Sequence, residues 1–554
     1  MNTTNDTADL IVIGGGFGGL IAATRAAELG LGVILLEKGE GDRYPCNSRF
    51  SGGIVHICFL DVRRDWNELY AAIRTATSGE VNDAQAKALA RNASRLVDWL
   101  QDHGTRFMRF NMLEANRWCM APPRALVPGL DWLDRGPDIA LRELMARFLA
   151  AGGKTHLRTR ALRLRIRDGA CNGVIAERDG REVSYGARSV LVADGGFQAN
   201  RAAVTQHIGP NFDAIFQRGA ATGMGDGMRM AAEAGARLTN LRPFYGHLLA
   251  REASTSDNLW PYPELDAFTT TGVIVGPDGR RIADESQGGI AMANALARRP
   301  APDEAIAIFD ADIWEGPGRT HRIPANPLLE EAGATIRRAG SIAELAAQLD
   351  LPPDALADTV AQHNTAISSG NFSNLAPPRA GPVKAQPIRT APFMAIRVRP
   401  GITYTMGGIE IDGNARVIGK NGTPIPGLLA AGATTGGLEG GGRNAYVGGI
   451  VKAGVFGLLA AEEAARRAGH TAHAETRPAP ATHRFPMLDL IVRHGANAAL
   501  ILSPLMVLLV SWLTWGALDW LSIPAGLIAG LATYILVRSY TEIVTLITET
   551  LLPR

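Results

Sequence analysis

Three glycines near the start have the spacing of a phosphate cradle. They are Gly14, Gly16 and Gly19, directly after the apolar run ending at Ile13. In such a G-x-G-x-x-G turn the first glycine permits the tight bend. The second lets a pyrophosphate approach the backbone, and the third lets helix and strand pack closely. The helix that follows offers N–H groups and a positive dipole end to phosphate. Glu37 closes the next apolar strand, where a carboxylate can hold a ribose hydroxyl, and Lys38 follows it. Only one such fingerprint is present, whereas enzymes that bind both NAD and FAD normally show two. Two further apolar runs end in glycine: Val192-Ala193-Asp194-Gly195 and Leu429-Ala430-Ala431-Gly432. A helix after Gly448 and Gly449 would aim its positive end at a flavin ring. The expected cofactor is therefore FAD.

The elements that must position these groups are legible in outline. Asp9–Ile13 reads as a strand, Leu20–Leu29 as an Ala-rich helix and Val33–Leu36 as a second strand, giving β–α–β. Residues 84–151 read as mostly helical, and 155–193 as a small β-meander. Residues 240–385 carry many prolines and polar turns, like an inserted domain. Strands return at Met394–Val398 and Ile409–Ile411, and a long helix covers Gly448–Ala468.

Composition sets outer limits. A chain of 554 residues exceeds one core. A formal charge of +2, with no basic run, gives no sign of nucleic-acid binding. Cys46, Cys58, Cys119 and Cys171 form no CxxC pair and no zinc-like spacing. No disulfide framework, metal site, iron–sulfur cluster or c-type haem is expected. The N-terminus lacks a secretory pattern. The tail differs from the rest: Gly495–Leu518 and Trp520–Val537 are uncharged over 24 and 18 residues. A bilayer-crossing helix needs roughly 20 apolar residues. Trp512, Trp515, Trp520 and Tyr534 suit a lipid interface. Arg484, Arg493 and Arg538 would put both basic flanks on the cytoplasmic side. A transmembrane or membrane-associated hairpin is expected, with the catalytic part facing the cytoplasm.

The motifs GGGFGG near the start, SGG at 51–53, GDG at 225–227, DGRRIADES at 278–286, YTMGGIEID at 404–412 and LLAAGATTGG at 428–437 occur together. With them the chain resembles the fumarate reductase / succinate dehydrogenase flavoprotein family, which includes tricarballylate dehydrogenase and 3-ketosteroid dehydrogenases. The resemblance runs from Ala8 to Ala468. It implies an α/β fold: a Rossmann-like FAD domain with an inserted α+β capping domain, to which this chain adds its helical hairpin. The expected boundaries are 1–240 and 391–468 for the FAD domain and 241–390 for the cap. A linker at 469–494 and the hairpin at 495–554 complete the chain. The resemblance adds Ser51, Gly52, Gly53 and Asp226 to the flavin residues.

The same resemblance assigns substrate roles. His247 falls where fumarate reductases keep a substrate-binding His, and Asp266 near a substrate-contacting acid. Arg443 falls where a carboxylate-binding Arg stands; its planar guanidinium suits that task. Tyr404 replaces a substrate-polarising His, and Tyr446 resembles the flavin-proximal Tyr of ketosteroid dehydrogenases. Two departures matter. The slot of the proton-donating Arg, four residues after Glu285, holds Gly289. The nearest match to the flavin-linking His is Cys46, so FAD is expected to be non-covalent.

The resulting expectation is an FAD-dependent dehydrogenase that oxidises a CH–CH bond next to a carboxylate, tricarballylate-like. Electrons would pass to a quinone or a membrane partner, an inference from the tail alone. The alternatives are ketosteroid-like oxidation of a ring ketone, fumarate-reductase-like reduction of an alkene, and a non-enzymatic membrane flavoprotein.

Overall fold

The computed structural model describes residues 5–111, 113–320, 324–470 and 486–551. Most of the expected linker, residues 471–485, lies outside them, as do Arg484 and the side chain of Arg493. The chain divides into two compact units, residues 1–105 with 114–472 and residues 106–113 with 473–554.

The first unit begins with the expected β–α–β: β1 (Asn5–Ile13), α1 (Phe17–Glu28) and β2 (Val33–Leu36). Leu10, Ile11, Val12 and all of β2 are buried, as suits strands covered on both faces. After helix α2 (Asp83–Asp102) come β3 (Lys154–His156) and a meander that ends in β4 (Arg181–Val192).

Beyond these lie β5 (Phe244–Ala250), α3 (Asp266–Thr271), α4 (Gly289–Ala297), β6 (Phe393–Thr405), β7 (Pro424–Ala430) and α5 (Gly449–Ala468). The main sheet runs β7-β4-β1-β2-β3, all parallel, with Arg416–Ile418 antiparallel outside β7. Register aligns Ile13 with Leu36 and Val192, and Val192 with Ala430. Four strands therefore stop at one edge, and ligands of open α/β sheets bind outside that carboxyl edge. Helices α1 and α5 cross closely beneath it: a Cβ on Gly457 would come 2.7 Å from the Gly18 carbonyl oxygen.

The second sheet is built on β6, which pairs antiparallel with β5 and with Ile306–Asp310, and parallel with Phe216–Gln217. Residues 241–390 thus do not close on themselves. Their sheet is completed by β6, whose last residue, Thr405, accepts through Oγ1 from the Phe197 N–H at 3.2 Å. Register sets Tyr245 opposite Tyr404 and His247 opposite Gly401.

In the second unit, α6 (Pro486–Leu518) and α7 (Ser522–Leu551) pack as a helical hairpin. Ser503 Oγ donates to the Gly530 carbonyl at 2.9 Å and Ser511 Oγ to that of Ser522 at 3.2 Å. Within Asn497–Val544 an 18-residue window reaches a mean hydropathy of 2.0, long and apolar enough to cross a membrane. Trp512, Trp520, Ile528 and Leu536 stand exposed.

Candidate active site

The turns after the aligned strand ends bring together residues predicted to hold the cofactor. Gly14 has φ +99°, and a Cβ there would press on the Ala193 carbonyl. A Cβ on Gly19 would strike the Gly14 carbonyl. Glu37 accepts from Gly15 N–H at 2.8 Å and Gly39 N–H at 2.7 Å, so its carboxylate borders the turn. Ser48 Oγ accepts from Phe17 N–H at 3.0 Å, at the first turn of α1. It was not singled out in the sequence, because nothing in its spacing ties it to the fingerprint.

Ser51 Oγ donates to the Ser48 carbonyl at 2.8 Å, Gly53 takes φ +72°, and Gly52 and Gly195 face open space. Asp194 accepts from Gly227 N–H at 2.7 Å through Oδ2, while its buried Oδ1 meets no partner. Burial pushes this carboxyl up to about 6. Thr434 Oγ1, beside Gly432, is also buried without a partner. Orphaned polar atoms around open glycines fit a bound dinucleotide.

Lys38 and Asp226 are engaged with protein groups. Lys38 Nζ donates to the Thr222 carbonyl at 2.6 Å and lies 3.6 Å from Asp226, which also receives Arg160. Burial pushes the Cys46 thiol up to about 11, disfavouring the thiolate that attachment to a flavin needs.

A second cluster forms where β5, β6 and the turn before α5 meet. His247 Nδ1 lies 2.6 Å from Asp266 Oδ2 and Nε2 lies 3.1 Å from the Tyr245 hydroxyl. With Nδ1–H donating to the Asp266 carboxylate, Nε2 is left to accept from the Tyr245 hydroxyl. Asp266 opens α3 and also accepts from Leu248 N–H at 3.3 Å. Glu264 lies 3.5 Å from Nε2 and is matched by Arg218 at 3.0 Å.

The Tyr245 ring stacks on Tyr446 with centroids 4.1 Å apart and lies 5.5 Å from Tyr404. His56 and Phe59 approach Tyr446 edge-on. Asn294 of α4 holds the start of β5 by bonding both N–H and C=O of Phe244. Tyr404 donates to Glu439 at 2.9 Å; burial, with Glu439 beside it, holds its phenol well above the usual range.

His247, Asp266, Tyr404 and Tyr446 are thus brought together. Arg443 is exposed on the turn Gly441–Arg443, outside this packed group. Tyr245 and Glu439 were missed. Strand alternation in FYGHL puts Tyr245 and His247 on one face and could have signalled the first. Nothing periodic links Glu439 to Tyr404.

Known proteins agree with this architecture. An NADH:fumarate oxidoreductase of Klebsiella pneumoniae (strain 342) is 26% identical over 486 residues, covering 84% of this chain and 48% of that protein. The chain thus spans about half the length of that relative. A 4-oxocyclohexanecarboxylate 2-dehydrogenase of Sinomonas cyclohexanicum is 26% identical over 549 residues, covering 82% and 91%. The 3-ketosteroid-Δ4-(5α)-dehydrogenase of Rhodococcus jostii RHA1, solved with 4-androstene-3,17-dione, shares the fold. Its TM-score is 0.64 at 20% identity, covering 84% of this chain and 98% of that one. The model of the FAD binding domain family matches residues 9–445, and the chain belongs to that FAD-binding family.

Proposed function

We propose that this protein is an FAD-dependent oxidoreductase acting on a carbon–carbon single bond next to a carbonyl or carboxylate, working as a dehydrogenase. The observation that carries the reading is the Tyr245–His247–Asp266 chain, which ends in a stacked tyrosine pair. Bound FAD supplies the hydride acceptor. The protein's own task is then to take the proton from the adjacent carbon. Tyr245 is suited to it, because its hydroxyl proton can pass to His247 Nε2 while Asp266 stabilises the imidazolium. Gly14, Gly16, Gly19, Glu37, Ser48, Asp194 and Gly432 are the residues we assign to hold the cofactor, and the positive end of α5 would favour negative charge on a bound flavin.

The charge pattern narrows the substrate. The buried cations Arg218 and Lys452 are already matched by Glu264 and Glu439. Arg124, buried beside Arg218 and Glu264, keeps Nε and Nη2 without a partner and is, among the described residues, the one cation there open to a carboxylate, so a ring ketone or a monocarboxylate fits better than a tricarboxylate. Arg443, exposed outside the cluster, is a second group we assign to a single carboxylate. The Sinomonas relative, whose named substrate carries both groups, supports this reading. The apolar hairpin is assigned to a membrane, and a quinone or membrane partner to the reoxidation of FAD.

The test is anaerobic titration of the purified protein with ring ketones, monocarboxylates and tricarboxylates, following the visible flavin band. Bleaching by a saturated ketone or acid is expected. No bleaching, combined with reoxidation of pre-reduced flavin by an unsaturated acid, would reverse the assigned direction.

A further inference from the structure

Glu439 is fully buried beneath the turn that carries Tyr446, at the start of α5. Its Oε1 accepts from the Tyr404 hydroxyl at 2.9 Å, Val447 N–H at 3.2 Å and Gly448 N–H at 3.3 Å. Its Oε2 accepts from Lys452 Nζ at 3.1 Å. Lys452 is buried too, and its ammonium also donates to the Thr435 carbonyl at 3.0 Å. Two backbone N–H groups and an ammonium can only donate. A proton on Glu439 could be accepted only by the Tyr404 hydroxyl and would leave the buried Lys452 ammonium without a counter-charge, so the arrangement favours an ionised carboxylate paired with a charged lysine. The N-terminal turn of α5 adds its positive dipole end on the same side.

We propose that Glu439 is a positioning residue that fixes the direction of the Tyr404 hydroxyl. With Glu439 ionised, the phenolic proton points at the carboxylate. Tyr404 then turns only lone pairs toward the cluster formed with Tyr245 and Tyr446. It cannot donate to a substrate carbonyl, although the family's polarising histidine stands at its position. A carbonyl oxygen is thereby directed away from Tyr404, and a C–H or hydroxyl edge is tolerated beside it. Glu439 and Lys452 thus set which end of a ring ketone lies against β6. The inference rests on the reading of this cluster as the substrate site.

Two measurements on the FAD-loaded full chain test it. The infrared difference spectrum between the natural protein and Glu439→Gln should show loss of a carboxylate band. Loss of a carboxylic-acid band would overturn the proposal. Should Gln alone leave Lys452 uncompensated and the protein unfolded, the paired variant Glu439→Gln/Lys452→Met removes both charges and gives the same readout. Cyclohexanone binding, followed by the flavin visible band, should change by no more than about twofold in Tyr404→Phe, since no donor is lost. A weakening of roughly tenfold, the worth of one lost hydrogen bond, would overturn it. If cyclohexanone perturbs the flavin in no variant, the substrate-site reading fails, and the infrared spectrum still decides the state of Glu439.

Discussion

The carboxyl group of Asp266 lies over Gly289, in the space that any side chain at 289 would need, and its Oδ2 stands 2.6 Å from His247 Nδ1. Gly289 occupies the slot in which the resemblance places a proton-donating arginine. The two features are one substitution in physical terms: the glycine makes room for the acid that orients the histidine. Gly289→Arg should therefore displace Asp266 rather than restore arginine-based protonation. Turnover should fall by at least ~100-fold, the scale of a lost acid–base group. Steady-state kinetics with the flavin content measured in parallel checks this. A Gly289→Arg protein that gained fumarate reduction would contradict it.

The relay itself predicts a pattern of non-additivity. Asp266→Asn should leave the imidazole with its proton unassigned between the two nitrogens. His247→Gln and Tyr245→Phe each break a later link. Each single change should lower kcat by roughly 10²–10⁴-fold while leaving the FAD spectrum intact. The double variant Asp266→Asn/His247→Gln should be little worse than His247→Gln alone, because groups that act as one unit do not add. Independent, multiplying losses would show that Asp266 acts by itself.

The parts legible in the sequence were those governed by local rules. The fingerprint glycines, β1, β2 and Glu37 follow from strand burial and turn geometry within forty residues of chain. Tyr404 and Tyr446 were reached through motif resemblance, and the cross-strand register sets Tyr245 opposite Tyr404. What stayed hidden was long-range. Glu439 finds Tyr404 across 35 residues, and Asn294 holds Phe244 across 50. β6 completes the second sheet although it begins beyond the expected boundary at 390, since pairing partners are not written into hydrophobic alternation. The engagement of Lys38 with Thr222 was equally invisible, because an exposed-looking lysine carries no mark of its acceptor.

Asp194 supplies a pH test of the cofactor cradle. Burial raises its carboxyl from 3.8 to about 6, so the folded protein binds that proton more tightly than the unfolded chain. The resulting stabilisation is complete below the ordinary value near 3.8 and is lost as pH rises through about 6. Asp194→Asn removes this dependence while keeping an acceptor for Gly227 N–H. In FAD-free protein the Tm of Asp194→Asn should rise relative to the natural chain as pH passes from about 4 to above 6. A difference that stays constant across that window would mean the carboxyl is not held neutral.

The hairpin gives the last prediction. Gly526 and Gly530 sit where α7 presses on α6: a Cβ on Gly526 would meet Ser511, and one on Gly530 would meet Val507. Small residues let helices approach closely in lipid, where packing rather than hydrophobic burial holds them together. Gly530→Leu should force the helices apart and break the Ser503–Gly530 bond. The outward faces, with Trp512 and Leu536, are unchanged by it. Reconstituted Gly530→Leu protein should therefore still float with liposomes, yet unfold its tail at lower denaturant than the natural chain. Flotation lost together with hairpin stability would mean that binding needs the closed hairpin and not its apolar exterior alone. Deleting residues 495–554 should abolish flotation while leaving FAD bound, since the cradle lies wholly within the first unit.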